Sequence, residues 1–154
     1  MLKEGDPEYE DLLELAERAV GPGLTPQQRN QWRGLVGDLL GRLNEASNER
    51  RGAIRAQARL DVQLLSPEER AGLFTSTISA GGLSMSMPDP PPIGTRLRVS
   101  IDTRARPQPL LATAEIVWVH PAGELGAFFV DLVSNDRELL EGVAVKQVLR
   151  GAAT

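Results

Sequence analysis

Apolar positions recur every three or four residues up to residue 43 and alternate with polar ones from Arg59 onward, so helices should precede strands. Tyr9, Leu12, Leu13, Ala16 and Val20 share one helical face. Asp6-Pro7 is a suitable start for that helix, because Asp can accept from free first-turn N–H groups and Pro fits the first helical position. Gly21-Pro22-Gly23 ends it. Thr25-Pro26-Gln27-Gln28 then has the Thr-x-x-Gln form of a capping box, and Trp32, Leu35, Val36, Leu39, Leu40 and Leu43 form a second stripe. The short connection predicts an antiparallel helical hairpin. Such a pair cannot cover both stripes alone, so it must dock on the rest of the chain or on another copy.

Residues 44–58 read differently. They carry Arg50, Arg51 and Arg55, with Arg59 just beyond, and Ile54 is their one large apolar residue. This is a linker or a helix tail, and its thin apolar anchoring predicts mobility. Beyond it Leu60, Val62 and Leu64 alternate with polar residues, as do Leu83, Met85 and Met87, and again Leu97, Val99 and Ile101. Residues 114–119 and 125–132 are further apolar strands, and Phe128 and Phe129 should face opposite sides. Residues 66–69 make a turn, and the four prolines of residues 87–94 make a loop. Five or six short strands separated by turns predict a closed or nearly closed antiparallel barrel. Ser134 could cap a last helix that turns Leu139, Leu140, Val143 and Val148 toward the barrel, and the tail from Gly151 should fray. The division expected is a helical hairpin over 1–47, an Arg-rich linker over 48–58 and a barrel domain over 59–150.

Composition narrows the chemistry. The chain has no cysteine, which excludes disulfides and thiolate metal sites, and with one histidine and no serine in a nucleophile-elbow sequence a serine triad is unsupported. Its net charge of −4 and its 4% aromatic content argue against gripping a nucleic-acid polymer. No apolar run approaches the ~20 residues of a membrane span. The first residues are acidic and polar, unlike a secretory signal. A cytoplasmic protein without enzymatic activity, metal or cofactor is expected. His120, before Pro121, reads as a loop residue, and Trp118 reads as a core or barrel-face residue.

Particular motifs go further. Arg51-Gly52-Ala53-Ile54-Arg55 is an Arg-x-x-x-Arg sequence just ahead of the first barrel strand. Thr77-Ile78-Ser79-Ala80-Gly81-Gly82 follows, then Pro92-Ile93-Gly94, Ala114-Glu115-Ile116-Val117-Trp118 and Gly126-Ala127-Phe128-Phe129. In this order they resemble the PilZ domain family over about residues 50–145. That resemblance implies a mainly β fold: a six-stranded antiparallel β-barrel with a C-terminal helix, here behind an N-terminal helical hairpin. It also implies a receptor for cyclic di-GMP that relays the signal to a protein partner. The alternative is a degenerate adaptor that lacks the ligand and works through protein contacts. The family has Asp or Asn where this chain has Thr77, which favours the adaptor. Arg55-Ala56-Gln57-Ala58-Arg59 is a second possible register for the first motif, and Arg51 with Arg55 is preferred.

The implied ligand-binding residues are Arg50, Arg51, Arg55, Thr77, Ser79, Gly81 and Gly82. An arginine fork can hold a phosphate through two N–H groups, or reach O6 and N7 of guanine. Ser79 would bond to the ligand, while the glycines would let backbone and ligand approach. Thr77 offers a hydroxyl in place of a carboxylate or amide, a loss of about 1–3 kcal/mol if the guanine edge is buried. A third possibility, compatible with either reading, is self-association through Trp32, Leu35, Leu39 and Leu43.

Overall fold

The computed structural model describes residues 2–3 and 5–153. Two helices come first, α1 (Pro7–Val20) and α2 (Pro26–Ser47). Seven strands follow: β1 (Ala56–Gln57), β2 (Asp61–Ser66), β3 (Arg70–Ile78), β4 (Gly82–Ser86), β5 (Arg96–Asp102), β6 (Leu110–Val119) and β7 (Glu124–Phe129). Helix α3 (Ser134–Ala153) follows, so Gly151 to Ala153 are helical where fraying was expected, and Thr154 lies outside the described residues.

The strands pair in the order β3-β2-β5-β6-β7-β4, and β4 returns to β3 to close a six-stranded antiparallel barrel. The two-residue β1 lies against the distal end of β3, with Ala56 opposite Ile78 and Gln57 opposite Thr77. Closure follows from the period of two, which sends every second side chain inward. Val62, Leu64, Met85, Val99, Ile101 and Ile116 accordingly fill the interior. Phe129 is buried and its neighbour Phe128 is exposed, as alternation requires.

A second apolar cluster lies outside the barrel among the three helices and holds Leu12, Ala16, Trp32, Leu39, Val145 and Leu149. The capping box at Thr25 is complete: its hydroxyl accepts the Gln28 N–H at 3.1 Å and its own N–H reaches Gln28 Oε1 at 2.9 Å. Asp6 precedes α1 as expected, but its carboxylate accepts from the Lys3 N–H instead of capping the helix. α1 packs chiefly along α3, which also turns Leu139 and Leu140 into the barrel core. Gly142 permits that approach, since a Cβ there would stand 2.8 Å from Val20 Cγ1. Val148, expected toward the barrel, packs in the helical cluster.

The stripe on α2 is therefore largely covered within the chain. Trp32 is fully buried, and its indole N–H donates to Glu141 Oε1 on α3 at 2.6 Å. Arg29 grips Glu138 beside it through Nε and Nη2, at 2.5 and 3.1 Å. The stripe by itself requires no second copy.

Burial is the largest influence on Glu141 and raises its pKa above the ordinary carboxylate value, with the Trp32 N–H pulling the other way. A carboxyl whose pKa is raised on folding contributes stability fully below its unfolded pKa. That contribution is lost as pH rises through the folded value. Glu141→Gln keeps an acceptor for Trp32 without the charge. It should be more stable than the parent at neutral pH, with the difference vanishing in acid. Denaturant melts across that range test this, and parallel profiles would refute it. Glu141→Leu strands the indole N–H and should cost about 1–3 kcal/mol.

Candidate functional site

Residues 48–58 make more contacts than their thin apolar content suggested. Asn48 ends α2 in the left-handed conformation, φ 57°. The Asn44 side chain clamps the backbone of Arg51, donating to its carbonyl at 3.0 Å and accepting its N–H at 3.2 Å. Ile54 is 2% exposed within the helical cluster, and Ala56 is buried beside it. One large apolar residue suffices because the helices already provide a cavity for it. The segment then enters β1, which fixes Arg55 next to the end of β3.

Arg55, Thr77, Ser79 and Gly82 line one cleft of about 290 Å³ on the outer face of the barrel. Arg50, Arg51 and Gly81 do not line it. Arg51 is exposed and pairs with Glu49, Nε to Oε2 at 2.5 Å. Gly81 lies in the β3–β4 turn, where its carbonyl accepts the Phe129 N–H at 2.9 Å. Arg59 lies elsewhere, with its guanidinium 4.1 Å from the centre of the Phe74 ring.

The second motif serves the turn itself. Ser79 Oγ accepts the N–H groups of both Gly81 and Gly82 at 3.1 Å and donates to the Gly82 carbonyl at 3.3 Å. A hydroxyl has one hydrogen and two lone pairs, so Ser79 is saturated by the turn and shapes the cleft through it. Gly82 answers a different demand. A Cβ there would lie 2.3 Å from the Ala127 carbonyl oxygen, so the residue is required by the approach of β4 to β7. Thr77 is also engaged, its Oγ1 2.7 Å from Ser84 Oγ across the β3–β4 pair.

Pattern reading did not assign Ser84, Val117, Trp118, Glu124 and Phe128 to the site, and they also line the cleft. The register of β6 on β7 shifts between Ile116 and Trp118. This bulge turns neighbouring residues to the same side. Val117 and Trp118 are thus both outside, 42% and 37% exposed. The indole lies over Gly126, where a Cβ would stand 2.2 Å from its ring atoms, and meets the His120 ring at 4.9 Å between centroids. Glu124 is the single carboxylate among the lining residues. The cleft thus offers a guanidinium, three hydroxyls, a carboxylate and exposed aromatic faces. That set suits a planar polar ligand bearing an anion. Among the described residues no cluster of His, Cys, Asp and Glu could hold a metal ion, and no helix is long and apolar enough to cross a membrane.

The chain thus combines a small closed barrel with an arginine pair ahead of its first strand and a Ser-Gly turn beside it. The family model "PilZ domain" matches residues 49–144, and the chain belongs to that family. Among solved structures it resembles the inhibitor of motility MotI/DgrA of Bacillus subtilis, with TM-score 0.58 and 22% identity over 66% of this chain and 53% of that one. It also resembles YcgR of Escherichia coli in complex with c-di-GMP, with TM-score 0.54 and 14% identity over 68% of this chain and 48% of that one. The isolated PilZ domain of YcgR with c-di-GMP gives TM-score 0.50 and 13% identity, covering 67% of this chain and 95% of that one. The chain thus spans about half the length of MotI and of YcgR. No curated protein matches it.

Proposed function

We propose that this protein is a cyclic di-GMP receptor whose ligand seats a guanine and a phosphate in the cleft between Arg55 and Trp118. The observation that carries this reading is the convergence of Arg55, Thr77, Ser79 and Gly82, drawn from two separate motifs, on one outer-face cleft. Arg55 holds phosphate or the guanine O6/N7 edge. Trp118 and Phe128 offer π-faces to the base. Ser79 acts through the turn that it builds. Glu124 supplies the anionic acceptor that Thr77 lacks, for the guanine N1–H and N2–H. Arg51 is a reserve contact that must leave Glu49 to reach the ligand.

Signal relay follows from the anchoring. The arginine segment is continuous with α2 through the Asn44 clamp and with the barrel through β1. Ligand tension on Arg55 is therefore felt in the helical layer, the surface offered to a protein partner. The adaptor reading keeps one specific observation in its favour, the Thr77 hydroxyl already satisfied by Ser84.

Calorimetric titration of the full chain with cyclic di-GMP tests the reading. Saturable binding is expected, weakened about 5- to 150-fold in Glu124→Ala, for loss of about 1–3 kcal/mol at a buried guanine edge. Thr77→Asn should strengthen it by restoring an amide acceptor. No heat at high ligand concentration from a folded protein would hand the chain to the adaptor reading.

A further inference from the structure

A second, larger cleft of about 650 Å³ opens where the end of α1, the segment before β2, the β5–β6 loop and α3 meet. Four cations line it, Arg59, Arg104, Lys146 and Arg150, against one carboxylate, Glu17. This concentration runs against a chain of net charge −4. Seven other arginines are held in ion pairs, and among the described residues none of these four is. Arg59 stacks on Phe74, and Arg150 donates to Gln147 at 3.2 Å, but neither contact neutralises charge.

The cations are brought there by different parts of the fold. Lys146 and Arg150 lie one turn apart on α3 and share its face. Arg104 takes φ 61° in the β5–β6 loop, its N–H held by Asp102 Oδ1 at 2.9 Å. Left-handed backbone is uncommon for a residue with a side chain. Gathering like charges costs stability that a bound anion would recover. Val20, Ala58, Leu60, Ala105 and Val143 form an apolar floor, and Thr103 and Gln147 add neutral polar groups to the lining. A concavity of this volume falls within the usual range for small-molecule sites. Its cations border one concavity from three segments, which suits a compact ligand better than a bilayer or a polymer.

We propose that this cleft binds a small phosphate-bearing molecule of mononucleotide size. Arg104, Lys146 and Arg150 hold its phosphate, and the apolar floor takes its body. The site is independent of the cyclic di-GMP reading. Arg59 also borders the open groove that reaches Thr77, whereas Arg104, Lys146 and Arg150 line neither that groove nor the Arg55 cleft.

The test titrates the full chain with adenosine 5′-monophosphate and with inorganic phosphate, by calorimetry and by melting temperature. Saturable binding of the nucleotide is expected, tighter than that of phosphate. It should fall about tenfold or more in Arg104→Ala/Lys146→Ala, which loses two charged contacts, and persist in Arg55→Ala. The double variant should melt at or above the parent temperature, since repulsion is relieved. If it loses its cooperative melt, Arg150→Gln at an exposed position carries the same expectation. No saturable binding of either probe overturns the proposal, as does binding that survives the cleft variants or disappears with Arg55.

Discussion

Gly82→Ala should destabilise the barrel at the upper end of the roughly 1–3 kcal/mol typical of overpacking, or beyond it. The added methyl would sit 2.3 Å from the Ala127 carbonyl oxygen and 3.0 Å from Phe128 Cα. Both obstacles are backbone, so no side-chain rotation relieves them. β4 must separate from β7, and these strands are paired from Gly82–Phe128 to Ser86–Glu124. The neighbouring glycine is the control. A Cβ on Gly81 meets only Ser79 Oγ, at 3.7 Å, so Gly81→Ala should stay within about 0.5 kcal/mol of the parent. Urea melts of the two variants decide the matter. Equal midpoints would mean that the close seam is not what the motif glycine serves.

Arg55→Ala should lower cyclic di-GMP affinity by about 10- to 150-fold, the equivalent of a charged hydrogen bond worth about 1.5–3 kcal/mol. Arg51→Ala should do less. Arg55 already borders the cleft with Trp118, whereas Arg51 lies outside it and pairs with Glu49. Arg55 is exposed, so its removal leaves the fold intact and the loss reads as binding. Equal losses in the two variants would show that the segment before β1 rearranges around the ligand. It would then have to release the Asn44 clamp on Arg51. Hydrogen exchange across residues 48–58 with and without cyclic di-GMP would report that release.

Much of the fold was legible because each element obeys a local rule. The capping box at Thr25, the prolines of residues 87–94 and the alternation of Leu97, Val99 and Ile101 each act within a few residues of chain. The anchoring of residues 48–58 was not legible. A single isoleucine looks like weak attachment until the helices supply a buried place for it. The α2 stripe left two coverings open, the rest of the chain or another copy, and the fold covers it with α1 and with α3, which is distant in sequence.

The candidate site divides along the same line. Motif spacing named Arg55, Thr77, Ser79 and Gly82, and the fold brings them to one cleft. Trp118 read as a core or barrel-face residue, and it stands outward because a bulge breaks the alternation at Ile116. Glu124 has no local signal and joins the cleft only because β7 pairs with β4.

Helix-then-strand order, the inward set of the barrel and the presence of an arginine pair and a Ser-Gly turn could all be read from the pattern of residues. These rest on periodicity and turn chemistry, which act over a few residues. Only strand register and helix docking set which arginine borders the cleft, what the motif serine and glycine contact, and where cations outside ion pairs gather. They bring together groups that the sequence keeps far apart.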